Sequence, residues 1–207
     1  MSDLLTCPRC GPRYGLILLP YEAADRRVVS GVLGCANCRE RYPVAEGVAD
    51  LRMGEPPSFV GTSETTFDAV AGAEEQEAVR LAGLMGLAEA RGTVLLAGPA
   101  AAHAAAVSAL VEGVEVVAVL EGTEPGPAAG VTRLRVTARL PFRDGSLRGV
   151  ALTGPRVALV AEGARVLGRE GRLVLDPAPE AARSHLGAAG LTVLAEERGV
   201  MVAARRG

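Results

Sequence analysis

The 207-residue chain has no lysine and no tryptophan. All 22 of its basic residues are arginine, which, beside heavy use of Ala, Gly and Val, reads as coding bias and carries no functional weight. Against them stand 24 acidic residues, interspersed, so the formal charge is −2 with no basic tail or stripe. Generic attraction to nucleic acid is therefore not expected. Aromatic residues make up only 3% of the chain, few for the stacking platforms that bind single strands. The N-terminus, MSDLLTCPRC, lacks a basic n-region and an apolar core and does not read as a signal peptide. The longest apolar stretch, Ala97 to Val111, is mostly alanine and is interrupted by Pro99, His103 and Ser108. It is too short and too weakly apolar to span a membrane. With 49% hydrophobic residues the chain can bury a core, and the expectation is a globular, cytoplasmic protein.

Cysteine is scarce, and its placement is informative. The four cysteines fall at Cys7, Cys10, Cys35 and Cys38, two C-x2-C pairs separated by 24 residues. Each pair can form a tight turn that aims both sulfurs at one ion, and two such turns close a tetrahedral four-thiolate shell with no open position. Two disulfides, or two redox pairs, are the competing readings. The first fits poorly with the missing export signal, and a redox pair normally sits beside a βαβ unit rather than occurring twice. Structural zinc is expected. It would also supply folding free energy to a segment of about 52 residues that cannot build a dependable core unaided. Between the pairs, YGLILLPYEAADRRVVSGVLGC reads as apolar strands around a polar turn.

The stretches LTCPRCG and GVLGCANCRERYPVAEGVADLR resemble the small zinc-ribbon family that partners and activates tRNA and protein methyltransferases. Cys35, Cys38, Tyr42, Pro43, Val44, Gly47, Val48 and Leu51 carry the likeness. It implies a module over residues 1–52 that docks on a methyltransferase and does no chemistry itself. The docking site would belong to a separate methyltransferase or translation-related partner, or to the chain's own second domain. All three tyrosines, Tyr14, Tyr21 and Tyr42, fall here and mark either a docking face or packing.

Residues 53–72, rich in Pro, Gly, Ser and Thr, read as a linker. AEEQEAVRLAGLMGLAEARG then reads as an amphipathic helix ending at Gly92, with Val79, Leu81, Leu84, Met85 and Ala88 near helical spacing. From residue 93 strands and helices alternate. TVLLA, EVVAVLE, VTRLRVT, GVALT and GRLVLD read as strands. Helices are expected from Pro99 to Val111, from Arg156 to Leu167 and from Pro179 to about Ala189. LTVLAEERGVMVAARR reads as an antiparallel hairpin. The pattern implies an α/β, mostly parallel sheet with helices on both faces.

Over residues 73–207 this order, with LPFRDGSLRGVAL, ALVAEGARVLGREGRLVLDP and HLGAAGLTVLAEERGVMVAARR, resembles the class I S-adenosylmethionine-dependent methyltransferases. The resemblance implies a Rossmann-like methyltransferase fold, and it locates the cofactor residues. Gly98 keeps the first loop glycine, and Glu121 matches the acid that holds the ribose hydroxyls. The acid of the first strand becomes Leu96, that after the third strand becomes Val136, and the glycine run becomes Pro99, Ala100, Ala101 and Ala102. S-adenosylmethionine binding is therefore not expected at cellular concentrations. The connection GTEPGPAAG is short for a crossover helix, and LTGP stands where base-modifying members carry Asn-Pro-Pro-Tyr or Pro-Cys. His103 and His185 read as surface or partly packed residues, and Asp144 as a turn residue. Two functions follow as expectations. One is a non-catalytic zinc-ribbon and methyltransferase-like protein working through protein or RNA contacts. The other is an active methyltransferase with a divergent loop, acting on RNA, protein or a small molecule.

Overall fold

The computed structural model describes residues 2–24, 27–54, 71–88, 90–120 and 128–205. β1 (Thr6–Cys7) leads into the first cysteine turn, and β2 (Gly11–Ala24) and β3 (Arg27–Cys35) form the hairpin between the two cysteine pairs. β4 (Arg41–Ala45) and β5 (Val48–Asp50) follow, joined by Glu46 and Gly47 at φ 52° and 71°. Two consecutive left-handed residues make the tight turn that suits the twist of a two-residue hairpin.

The second half begins with α1 (Ala71–Met85). β6 (Gly92–Ala97) is followed by α2 (Ala104–Leu110), β7 (Val114–Val119) and β8 (Val131–Arg135). β9 (Leu147–Thr153), α3 (Val160–Val166), β10 (Leu167–Asp176) and α4 (Ala182–Ala188) come next. β11 (Leu191–Glu197) and β12 (Val200–Arg205) close the chain as the expected antiparallel hairpin. α1 ends at Met85 and not at Gly92, because Gly86 takes φ +65° and stops the helix. The helices expected from Pro99 and Arg156 each open with a 3-10 turn, Gly98–His103 and Gly154–Leu159, before becoming α-helical. Most of the expected linker (55–70), together with Glu121 and the GTEPGP connection, lies outside the described residues.

One sheet runs through both halves, in the order β1-β2-β3-β4-β5-β8-β7-β6-β9-β10-β12-β11. β8, β7, β6, β9 and β10 are mutually parallel and β12 is antiparallel to β10, so this half is a mixed, mostly parallel α/β sheet. The N-terminal segment joins it through β5, which lies parallel to β8 with Val48, Ala49 and Asp50 opposite Arg133, Leu134 and Arg135. Leu51 N–H extends the ladder to the Arg135 carbonyl at 2.9 Å. A second contact brings Thr6 N–H to the Pro141 carbonyl at 2.8 Å and pairs Leu5 with Phe142.

Side chains alternate across the sheet as period-2 strands require. Val94, Leu96, Val116, Ala118, Ala151 and Val174 pack under α1 and α2. Leu95, Ala97, Val117, Val119, Leu152 and Leu173 face the other way, toward α3 and α4. That second core continues without a break into Leu5, Cys7, Leu33, Cys35, Tyr42 and Leu51 of the ribbon, with Leu134 and Phe142 between them. Among the described residues no helix is long and apolar enough to cross a membrane.

Candidate functional site

The two cysteine turns face each other. Cys7 ends β1 and Cys35 ends β3, so each knuckle starts from a fixed strand end, and Cys10 and Cys38 follow one turn later. Gly11 at φ +89° and Arg39 at φ +62° let the chain leave each knuckle sharply. All four sulfurs lie within 4.8 Å of one another, with Cys7 to Cys38 at 3.7 Å and Cys10 to Cys35 at 3.9 Å. A tetrahedral shell with metal–sulfur bonds of about 2.3 Å requires sulfurs about 3.8 Å apart. The group can hold a soft four-coordinate cation, and no two of the cysteines are disulfide-bonded.

Donors surround the sulfurs. Cys10 N–H reaches Cys7 Sγ at 3.4 Å, Asn37 Nδ2 reaches Cys10 Sγ at 3.2 Å, and the Tyr42 hydroxyl lies 3.4 Å from Cys7 Sγ. Burial raises the Cys35 thiol, but the backbone amides of Cys38 and Asn37 outweigh it and bring it down to about 7. Burial and the neighbouring Cys7 sulfur push the Tyr42 phenol upward, so it remains a neutral donor. Tyr42 is only 2% exposed and serves packing, whereas Tyr14 and Tyr21 are exposed.

The second place with chemical potential lies at the carboxyl ends of β6 and β9. Strand order reverses there, and open α/β sheets bind ligands in that crevice. Gly98 stands at the end of β6 with φ +75°, and a Cβ on it would collide with the Thr153 carbonyl. Thr153, at the end of β9, donates its hydroxyl to the Ala97 carbonyl at 2.8 Å and accepts from Ala100 N–H at 2.9 Å. Next to it Gly154, at φ +54°, leaves room for Pro99, whose Cδ lies 3.0 Å from where a Cβ would stand. The loop after β6 is thus fastened to the end of β9, and Ala100 and Ala101 are buried in it.

Leu96 is fully buried beneath α1 and α2. Its side chain points into the sheet–helix interface because residues 94 and 96 share one face of the strand. Val136 is likewise buried at 3% exposure, and its carbonyl accepts from Arg156 at 3.4 Å. His103 ends the 3-10 turn with its Nδ1 buried and unpartnered, while exposed His185 holds its own helix through Ala181 O at 2.8 Å. Asp144 sits in its turn and also binds Arg165 at 2.7 Å. Thr153 and Arg165 went unrecognised in the sequence. Their partners lie in distant segments, and only the Thr-Gly-Pro punctuation at the strand end hinted at the first.

Two cavities among the described residues are lined by other segments than the β6 and β9 loops. A small one of about 60 Å³ sits between the first knuckle and Arg139, Leu140 and Glu162. A groove of about 600 Å³ lies along Arg41, Pro43, Asp50 and Arg52.

No protein-family model matches this chain. No curated protein matches it either. Among solved structures it is similar to the Burkholderia thailandensis 1,6-didemethyltoxoflavin-N1-methyltransferase, with 15% identity over 65% of this chain and 78% of that one, TM-score 0.45. It is similar to the cyclase SpnF at 16% identity, over 60% of this chain and 59% of that one, TM-score 0.44. A chain of the Haloferax volcanii complex formed by the Trm112 methyltransferase activator aligns at 17% identity, over 60% of this chain and 74% of that one, TM-score 0.40.

Proposed function

We propose that this protein is a non-catalytic, zinc-stabilised methyltransferase-fold scaffold working in the cytoplasm through contacts with protein or RNA. In this reading residues 1–52 form a zinc ribbon, 53–72 a linker and 73–207 a methyltransferase-like unit. Cys7, Cys10, Cys35 and Cys38 would hold the zinc. With all four positions taken by sulfur the ion supplies folding energy rather than an activated water. The ribbon docks in cis through β5 on β8, so that edge of β8 is not free for a second ribbon.

The observation that carries the non-catalytic reading is the Thr153 hydroxyl. It occupies the Ala100 amide and the Ala97 carbonyl at the point where the loop would otherwise face a ligand. Leu96 and Val136 add to it, since they stand where the resembled family places two acids. Losing two hydrogen bonds from charged groups removes roughly 3–6 kcal/mol. That weakens a micromolar site to about millimolar or worse.

A second reading, an active S-adenosylmethionine-dependent methyltransferase, is favoured by one feature. Gly98 is left-handed at the strand-order reversal, where a Rossmann fold places its cofactor turn. Calorimetric titration with S-adenosylmethionine and S-adenosylhomocysteine separates the two. Neither is expected to bind below about millimolar concentration. Micromolar binding that is lost in Glu121→Ala would overturn the first reading and establish Gly98 and Glu121 as cofactor residues.

A further inference from the structure

The four sulfurs differ in their access to solvent. Cys7 and Cys35, at the ends of β1 and β3, are buried, while Cys10 and Cys38, one turn later, are partly exposed. The close approaches run between the two turns. Cys38 lies 3.7 Å from Cys7, and Cys10 lies 3.9 Å from Cys35. Each reachable sulfur therefore faces a sheltered one on the opposite turn. Within the first turn the Cys10 N–H already points at Cys7 Sγ, at 3.4 Å, so that turn is closed by an amide.

Sulfur oxidation follows thiolate character and access. A four-thiolate site keeps its sulfurs deprotonated, and here two of the four reach the surface. The first oxidation product turns into a disulfide only where a second thiol is within reach, and one lies across each gap. The facing residues are 31 positions apart for Cys7 and Cys38 and 25 for Cys10 and Cys35. A bond across either gap joins the same two turns that a shared cation joins. Cross-links that close loops of this length also constrain the unfolded chain.

We propose that the thiol cluster is a peroxide-responsive site: Cys38 and Cys10 are the sulfurs oxidised, Cys7 and Cys35 resolve them, and two disulfides then hold the turns in place of the metal. The exposed thiolate attacks hydrogen peroxide, the O–O bond breaks, and the sulfur keeps one oxygen as a sulfenic acid. The other oxygen leaves as hydroxide and takes a proton from water. The facing thiolate then attacks the oxidised sulfur, the S–S bond forms, and the second oxygen leaves as hydroxide and is protonated in turn. Each disulfide gives two electrons to one peroxide, so two peroxides consume all four thiolates, and the site can no longer hold a cation. The inference rests on the zinc reading above and adds a reaction of the same four residues. Oxidation would exchange one fastening of the N-terminal segment for another, leaving β5 on β8.

The test uses the full chain as purified, with zinc counted by elemental analysis beforehand. Hydrogen peroxide should release that zinc to a chromogenic chelator while all four thiols disappear. Trypsin cuts after Arg9, Arg13, Arg27 and Arg39, leaving Cys7 in peptide 1–9, Cys10 in 10–13, and Cys35 with Cys38 in 28–39. Disulfides between the turns join both short peptides to 28–39 in one species, and fragmentation should assign Cys38 to Cys7 and Cys35 to Cys10. Disulfides within each turn would instead join 1–9 to 10–13 and leave 28–39 alone, which overturns the proposal. The oxidised, metal-free protein should melt above reduced protein stripped by a chelator, and equal melting would show that the disulfides do not replace the metal. Dithiothreitol with added zinc should restore the starting state. Zinc retained under millimolar peroxide refutes this inference alone, whereas no zinc in the fresh protein refutes the zinc reading and the inference with it.

Discussion

Thr153 holds two backbone groups with one hydroxyl, and this makes it the most diagnostic single side chain of the crevice. It is 6% exposed, so neither the Ala100 N–H nor the Ala97 carbonyl can turn to water if the hydroxyl is removed. Thr153→Val keeps the shape and leaves those groups unpaired, which should cost about 1–3 kcal/mol in a urea titration. A variant as stable as the parent would show that the fastening of the loop has been misjudged. Glu162 is the corresponding side chain for charge. Burial raises its carboxyl, but the Arg165 guanidinium, followed by the Leu140 amide, outweighs this and holds it below the usual carboxylate range. A folded pKa below the unfolded value of about 4.3 means stabilisation that is fully present above that value. It is lost as pH falls through the folded pKa. Glu162→Gln should therefore be less stable than the parent at neutral pH, and the difference should shrink below about pH 4. Comparing the two proteins cancels acid effects on the thiols, which both share. A difference independent of pH between about 3 and 7 would refute the assignment.

At the scale of elements, most strands were legible because buried parallel strands are short apolar runs bounded by Gly, Pro or charge. The run TVLLA became β6, and GVALT became the end of β9. The four thiols were legible too, since C-x2-C spacing constrains geometry more tightly than hydrophobic pattern does. Helix ends were not. Gly98-Pro99 and Gly154-Pro155 open 3-10 turns because each loop has to bend tightly against the other, a tertiary demand with no local signal beyond Gly-Pro. The least legible element was β5. Val48, Ala49 and Asp50 are three unremarkable residues whose partner strand begins at Val131. Nothing in a local window identifies a parallel pairing over such a separation. Glu121 was assigned from resemblance alone and lies outside the described residues, so the titration above, rather than packing, has to decide it.

For the whole molecule, the decisive fact is that the thiol cluster is part of the main core. Cys7 and Cys35 are buried in the same apolar cluster as Phe142, Leu134 and Leu152, and β5 is covalently part of the ribbon and hydrogen-bonded to β8. If the four thiols hold a metal, its loss should therefore not release a small domain from an intact larger one. It would uncover one side of Leu134 and Phe142 and unpair the edge of β8, so both halves should unfold together. The chain offers an unusually clean way to see this. It has no tryptophan, and its three tyrosines all lie in the ribbon, at Tyr14, Tyr21 and Tyr42. Tyrosine emission therefore reports the ribbon alone, while far-ultraviolet circular dichroism reports every strand and helix. The two thermal transitions should coincide in the metal-loaded protein. A strong chelator, or Cys35→Ser, should move both to lower temperature by the same amount, because a structural site contributes its binding energy to folding. If tyrosine emission melts first and the circular dichroism transition stays in place, the ribbon is an independent unit and the shared core does not couple the halves.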